Sequence, residues 1–274
     1  MKKRILLVSA SLLALLILLG AALLANAAFG NPVSYQLAAN AAEKHITEHY
    51  EALDLSIERV SYSFKDGLYH AYVSAPDSLD CHFTLSFDPW GNLRADSYTQ
   101  LVTSGWNTAR RIEDDYRSRV FALLESDAFP YTADIGHGEI VFASAEYRGD
   151  PSVPSYALFT DTLTLDGIYD TNEIAAASGR IVLYPENETV SHERLAEIVL
   201  DVKRIFDAAE LRFYALNLVL EAPNGDRVEV LEMRYADIYE EGMLDRVIAS
   251  DEAAKAYYAE QDAEKLKDLP ANGD

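Results

Sequence analysis

An apolar run near the amino terminus constrains this chain more than any other sequence feature. Ile5–Leu24 contains no charged residue, and it directly follows the basic group Lys2, Lys3 and Arg4. Twenty helical residues rise about 30 Å, which is the thickness of the hydrocarbon core of a bilayer. The run therefore predicts a helix that contacts the lipid bilayer through residues 5–24.

Two interpretations of this segment remain open. As an uncleaved signal anchor it would cross the cell membrane once, with the three cations holding the amino terminus in the cytoplasm. As a secretory signal it would be removed near Ala27, because Ala25-Asn26-Ala27 carries the small residues that such cleavage requires. The run is longer than the usual core of a cleaved signal, which favours the anchor and makes the secreted form the alternative. Both interpretations place the bulk of the chain outside the cytoplasm.

The net charge of the chain restricts the classes of molecule that it can bind. The 274 residues include 45 acidic and 23 basic side chains, for a formal net charge of -22. Nucleic acid is excluded as a partner, because phosphate binding requires a basic surface. A single cysteine excludes an intrachain disulfide framework. We expect contacts with the lipid bilayer and with a protein or peptide at the cell envelope.

Periodicity predicts a first α+β module over residues 29–131. Ser34 is expected to cap a helix that runs to about Tyr50, with a buried stripe that ends at His49. Residues of alternating polarity then predict three or four antiparallel strands, at about 60–64, 69–73, 81–87 and 93–98. A helix over about 108–124 is expected to close this module.

A second module is predicted over residues 132–258, after a boundary marked by Phe129-Pro130 and two nearby glycines. Its expected elements are a strand at 180–184, a helix capped by Ser191, a hairpin about Asn224-Gly225 and a final helix over 240–258. Residues 148–161 are expected to be irregular, and 259–274 to form a flexible acidic tail. The fold class is therefore α+β: a transmembrane helix within residues 1–28, then two small modules, each with helices packed on an antiparallel meander or hairpin.

Several segments resemble the YfjL-like family of bacterial envelope proteins. They are Gly30-Asn31-Pro32-Val33-Ser34, Val60–Gly67, Thr103–Thr108, Phe129-Pro130 with Asp134-Ile135-Gly136, and Asp237–Gly242. The resemblance implies a single membrane span and two α+β modules. It carries over no active-site residues, since none of these segments is a catalytic motif.

The paired histidines His45 and His49 fit the H-x-x-E-H pattern of inverted zinc peptidases, with Glu48 between them. Two histidines four residues apart share a helix face and can hold Zn²⁺, while the glutamate polarises water. The pattern lacks a recognisable third ligand, and helical spacing turns Glu48 about 100° away from His49. An envelope zinc metallohydrolase is therefore the alternative function, and the histidines are otherwise expected at the edge of a core.

Three further sites contain residues that can take part in catalysis or binding. Cys81 and His82 are neighbours on a predicted strand, so their side chains point to opposite faces and do not form a dyad. The stretch 134–139, which includes Asp134, Gly136, His137 and Glu139, is expected to be a polar loop between the modules. Trp106 is a candidate partner anchor, because tryptophan is favoured at interfaces.

These observations predict a non-catalytic binding or sensing module at the cell envelope, with Trp106, Asp134 and Gly136 as the binding residues. No cofactor is expected, and the sequence shows no recognisable catalytic constellation. A secreted structural or inhibitor-like module, released by cleavage near Ala27, is a further alternative.

Overall fold

The computed structural model describes residues 2–268, and it divides into two compact units. The first comprises the chain up to Thr108 together with the short segment 164–166. The second comprises residues 109–163 and the chain from Gly167 onward. The predicted module ranges, 29–131 and 132–258, stay predictions about independent folding.

The first unit contains two helices and a four-stranded antiparallel meander in the order β1-β2-β3-β4. Its elements are α1 (Lys2–Phe29), α2 (Pro32–His49), β1 (Ser56–Ser63), β2 (Leu68–Ser74), β3 (His82–Phe87) and β4 (Leu93–Asp96). One face of the meander packs against α2, where Ala38 and Ala42 meet the inward residues of β2 and β3. Small residues on the helix allow this close contact, so the unit has one core between α2 and the sheet.

Helix α1 is long and apolar enough to cross a membrane, and its apolar window is not buried in the protein. Gly30 separates it from α2 and adopts a positive φ of 69°. The residue that caps α2 differs from the prediction, because the cap is Asn31 and not Ser34. The Asn31 side chain accepts a hydrogen bond from the backbone amide of Ser34 at 2.9 Å. Ser34 is instead buried, because Pro32 already occupies the first helical turn.

The second unit contains a four-stranded mixed sheet in the order β10-β9-β8-β5 and a separate two-stranded pair. Its elements are α3 (Trp106–Leu124, which begins in the first unit), β5 (Ala133–Ile140), β6 (Phe142–Ala143), β7 (Leu158–Phe159), α4 (Thr171–Ser178), β8 (Gly179–Pro185), α5 (His192–Ala208), β9 (Ala215–Glu221), β10 (Arg227–Arg234) and α6 (Met243–Asp268). The predicted hairpin and the cap at Ser191 are confirmed. Strands β8 and β9 are parallel, which the expectation of purely antiparallel pairing missed. Helix α5 returns the chain to the same end of the sheet, and such a crossover produces a parallel pair.

The closing helix of the first module packs elsewhere than expected. Its apolar face, from Ile112 through Tyr116 and Val120 to Leu123, belongs to the core of the second unit. Helix α6 also runs ten residues beyond its predicted end at Tyr258, to Asp268. The last part of the predicted tail, residues 269–274, lies outside the described residues.

The stretch 134–139 forms strand β5, so the prediction of a polar loop there is wrong. A Cβ atom on Gly138 would lie 2.6 Å from Val120 Cγ2 and 3.0 Å from Tyr116 Cε1. Glycine at this position therefore allows α3 to approach the backbone of β5. In the sequence the two glycines indicated a break, whereas in the structure they serve helix–sheet packing.

We predict that Gly138→Ala destabilises the second unit by about 1–3 kcal/mol, because the added methyl overlaps two fully buried side chains. Gly136→Ala is the matched control: its Cβ would lie 3.1 Å from the end of the Leu124 side chain, and its next neighbour, Leu183 Cδ2, is at an ordinary contact distance of 3.5 Å. Chemical denaturation of both variants measures the difference. Equal stability of the two variants would contradict the packing role of Gly138.

Candidate functional site

A groove of about 580 Å³ lies between the carboxyl end of α3 and the start of β5. Asp134 and Gly136, two of the predicted binding residues, both line it. Phe121 contributes an exposed ring to one wall, with 58% of its surface accessible. The groove therefore joins these two residues to an apolar surface that was not identified from the sequence.

Local hydrogen bonds fix the wall of the groove. The Ser126 hydroxyl donates to Leu123 O at 2.7 Å and ends α3, and the Tyr131 hydroxyl donates to Asp201 Oδ2 at 2.7 Å. Burial and the neighbouring Asp201 carboxylate raise the pKa of Tyr131, so this phenol stays protonated at neutral pH. The wall is rigid on both sides of the Phe129-Pro130 turn.

The charged side chains that line the groove are all acidic. Its lining includes the exposed carboxylates of Glu125, Asp127 and Asp134, and no lysine or arginine. Carboxylates near one another favour a cationic ligand over an anionic one. The groove is therefore suited to a partner that carries both basic and apolar groups.

The two edges of the second sheet differ. At the β10 edge, Asp251 Oδ1 accepts from Glu229 N at 3.1 Å, and Ser250 Oγ accepts from Leu231 N at 3.3 Å. Helix α6 thus occupies the outward amides of β10. Strand β5 is the other edge, it borders the groove, and Ile135 on it is 43% exposed. An edge strand presents unpaired peptide groups that can pair with another chain.

Trp106 begins α3 and belongs to the first unit, whereas Asp134 and Gly136 belong to the second. It is half-buried. The three predicted binding residues thus fall into two units, and its role as a partner anchor stays a prediction.

The histidine pair adopts an arrangement other than that of a zinc peptidase. His45 Nε2 lies 2.9 Å from Asp96 Oδ2, and Glu48 pairs with Lys44 at 3.8 Å on an exposed surface. His49 is exposed, so its predicted place in the buried stripe is wrong. Among residues 2–268 there is no group of three or more His, Cys, Asp or Glu side chains that could hold a metal ion. The pair therefore lacks the third protein ligand that catalytic zinc uses.

The Asp96 carboxylate organises the end of α2. It accepts from the Tyr50 hydroxyl at 2.7 Å and from Tyr98 N at 2.9 Å, in addition to His45. Burial alone would raise its pKa, but these hydrogen bonds outweigh burial, and the pKa of Asp96 is lowered. The cluster joins α2 to β4 and is a structural feature of the first core.

Cys81 precedes β3 and is buried, with 3% of its surface accessible. Burial raises the pKa of its thiol, which disfavours the reactive thiolate. His82 is exposed. The two side chains thus lie in different environments, in agreement with strand alternation.

A larger cavity of about 880 Å³, which the sequence analysis missed, lies in the second unit. It is bordered by the start of α4, the end of α5 and the end of β10. Its polar groups are largely paired: the Tyr235 hydroxyl donates to Asp207 at 2.6 Å, and Arg234 pairs with Asp237 at 2.8 Å. The lining residues come from three separate segments without a motif, so no sequence signal pointed to the cavity.

We predict that His45→Ala lowers the free energy of unfolding by about 1 kcal/mol, through loss of a hydrogen bond to a carboxylate, while His49→Ala has little effect.

We also predict a dependence on pH. Because the pKa of Asp96 is lowered in the folded protein, the ionised carboxylate stabilises the fold fully above the unfolded pKa of about 3.9. This stabilisation is lost as the pH falls through the folded pKa. Denaturation of the full chain in detergent, at neutral and at acidic pH, measures both effects. Zinc near one per chain in protein purified without a metal column would contradict this structural role.

Comparison with known proteins identifies the family. Residues 1–90 match the YfjL-like N-terminal domain, and residues 115–247 match the YfjL-like C-terminal domain. No curated protein and no solved structure matches the chain. The two matches include the apolar helix, the first three strands of the meander, and the groove with its edge strand. The chain therefore belongs to the YfjL-like family.

Proposed function

We propose that this chain is a single-pass membrane protein whose body lies outside the cytoplasm and binds a basic, extended protein segment at the cell envelope. The observation that carries the binding role is the acidic groove beside edge strand β5. The segment would add to β5 as a further strand, with its peptide groups paired to the strand edge. Its basic side chains would meet the three groove carboxylates, and an apolar side chain would contact Phe121.

The contrast between the two sheet edges supports β5 as the binding edge. Side chains of α6 already occupy the amides of β10, which prevents pairing there. Beyond β5 the sheet has no further strand among the described residues, while the other side of β5 pairs with β8. The register with β8 shifts between Ala133 and Ile135, so Asp134 lies at a bulge of this edge strand.

The geometry after the apolar helix supports the anchor over a cleaved signal. Gly30 N donates to Asn26 O at 2.9 Å, and the Tyr62 hydroxyl donates to Ala27 O at 2.9 Å. Cleavage near Ala27 would remove Asn26 and place a charged amine beside this contact. The segment around the proposed cleavage site is thus part of the folded first unit.

We expect photo-crosslinking in intact membranes to locate the partner on the groove. A benzoylphenylalanine at position 121 should give an adduct at least about tenfold stronger than one at Tyr257, which is equally exposed at 56%. Asp134→Lys should abolish the adduct by charge reversal, and the control Asp245→Lys on α6 should retain it. Equal adducts at both positions, or an adduct that survives Asp134→Lys, would contradict the proposed groove.

The membrane orientation has its own test. Alkaline phosphatase fused after residue 268, where α6 ends, should be active, because the enzyme folds only outside the cytoplasm, and a fluorescent protein fused there should stay dark. Amino-terminal sequencing of the mature protein should find residues before Ala27 retained. A fluorescent carboxyl-terminal fusion would refute the orientation, and a mature chain that begins after Ala27 would support the secreted alternative.

A further inference from the structure

One end of the first sheet is joined directly to the end of helix α1. The strand registers place Tyr62, Tyr69, Phe87 and Leu93 in one row across β1, β2, β3 and β4. Beyond this row lie the turns of the β1–β2 and β3–β4 hairpins, since alternate turns of an antiparallel meander fall at the same end. The connection between β2 and β3 lies at the opposite end.

Two tyrosines of this row hold the junction after α1. The Tyr62 hydroxyl donates to Ala27 O at 2.9 Å, and the Tyr69 hydroxyl accepts from Asn31 N at 3.0 Å. Gly30, at φ 69°, lies so close that a Cβ atom would be 2.7 Å from the Tyr69 hydroxyl. The junction is therefore a packed contact, and the row of strand ends lies beside the last turn of α1.

Both hairpin turns at this end expose an aromatic side chain. Phe64, in the β1–β2 turn, is 70% accessible, and Trp90, in the β3–β4 turn, is 79% accessible. Phe29, the last residue of α1, is 76% accessible. Large apolar side chains of a soluble domain are normally covered, and three of them share the end of the unit from which α1 departs. We name these three residues the aromatic rim.

The β3–β4 turn is built to hold Trp90 outward. Asp88 Oδ1 accepts from Trp90 N and from Asn92 N, both at 2.9 Å, and Oδ2 accepts from Arg94 Nη2 at 2.7 Å. Hydrogen bonds from Asn92 are the main cause that lowers the pKa of Asp88 to about 2. The turn is thus rigid at neutral pH, while the indole ring at its tip stays 79% accessible.

We propose that the aromatic rim inserts into the interface of the bilayer and seats the first unit against the membrane. This inference rests on the proposed membrane location of α1. Ala27 lies three residues beyond the apolar run, or about 4.5 Å along a helix. The headgroup region of one leaflet is about 5–7 Å thick, so Ala27 and the Tyr62 side chain of the β1–β2 hairpin that contacts it lie at that depth. The β3–β4 turn lies beside the start of α2, where a Cβ atom on Gly91 would be 3.2 Å from Leu37 O. Tryptophan and other aromatic side chains favour this depth.

The lipid contact expected here is apolar rather than electrostatic. Lys65 is the basic residue of the β1–β2 turn, and Arg94, which follows the β3–β4 turn, is paired with Asp88. The chain carries a net charge of -22, which repels an anionic bilayer at long range. The rim should therefore insert into neutral phosphatidylcholine, and added salt should not release it.

Tryptophan fluorescence tests the inference in the full chain, because Trp90 and Trp106 are its two tryptophans. Trp106→Phe leaves Trp90 alone, and Trp90→Phe leaves Trp106 alone. Trp106 is at the far end of the sheet, since the next residue, Asn107, bonds Asp80 O in the β2–β3 connection at 2.8 Å. In vesicles of phosphatidylcholine whose acyl chains are brominated near the headgroup, bromine quenches nearby tryptophans. We expect the fluorescence of Trp90 to fall about twofold and that of Trp106 to stay constant.

A third variant separates the rim from the anchor. Leu15→Trp in a chain that lacks both native tryptophans reports on α1 and should be quenched by lipids brominated near the chain ends. Quenching at position 15 without quenching of Trp90 would overturn the rim and retain the anchor. Absence of quenching at both positions would overturn both. If Trp106→Phe fails to fold, Trp106 is kept: Phe64→Trp with Trp90→Phe is compared with Trp90→Phe alone, and the additional quenching reads the β1–β2 hairpin. An unquenched residue 64 also overturns the rim.

Discussion

The contact between the end of α1 and the first sheet is the constraint on which the rest of this unit depends. The last turn of a helix has carbonyl groups without partners inside the helix. Here the Tyr62 hydroxyl donates to one of them, at Ala27, and the Tyr69 hydroxyl accepts from the amide of Asn31, two residues after the helix. Through these two hydrogen bonds, the connection after α1 is packed against the sheet. The orientation of the sheet follows from that of α1, and so does the direction in which its hairpins point.

The second unit depends on an asymmetry between the edges of its sheet. Helix α6 covers β10 with hydrogen bonds from Ser250 and Asp251. The buried Asp251 carboxylate also accepts from His192 at 2.8 Å and from Lys255 at 2.7 Å, so the start of α5 is held by the same group. Strand β5 is instead approached on its inner face by α3. One edge of the sheet is thus protected by α6, whereas β5 at the other edge pairs with no further strand among the described residues.

The sequence predicted most elements of both units, because their signals are local. Alternating polarity identified the meander, Asn224-Gly225 identified the β9–β10 turn, and Ser191 identified the start of α5. The errors have tertiary causes. Gly136 and Gly138 looked like a break because glycine is rare in strands, but both lie within β5, and the approach of α3 requires glycine at position 138. Helix α3 was correctly placed in the chain, yet its apolar periodicity could not tell which of two cores would bury it.

For the candidate sites, too, some features follow from the sequence and others only from the tertiary structure. The sequence alone determined the apolar run, the acidic balance of the chain and the residue types at positions 134 and 136, since each is a property of composition or of neighbours in the chain. Only the tertiary structure decided that Asp134 and Gly136 share a groove with Phe121, and that His45 faces Asp96 rather than a third metal ligand. It also decided that Phe64 and Trp90, 26 positions apart, lie at the same end of one sheet. The physical reason is that strand register and helix packing fix distances between remote residues, whereas a local pattern fixes only the conformation of the residues that compose it.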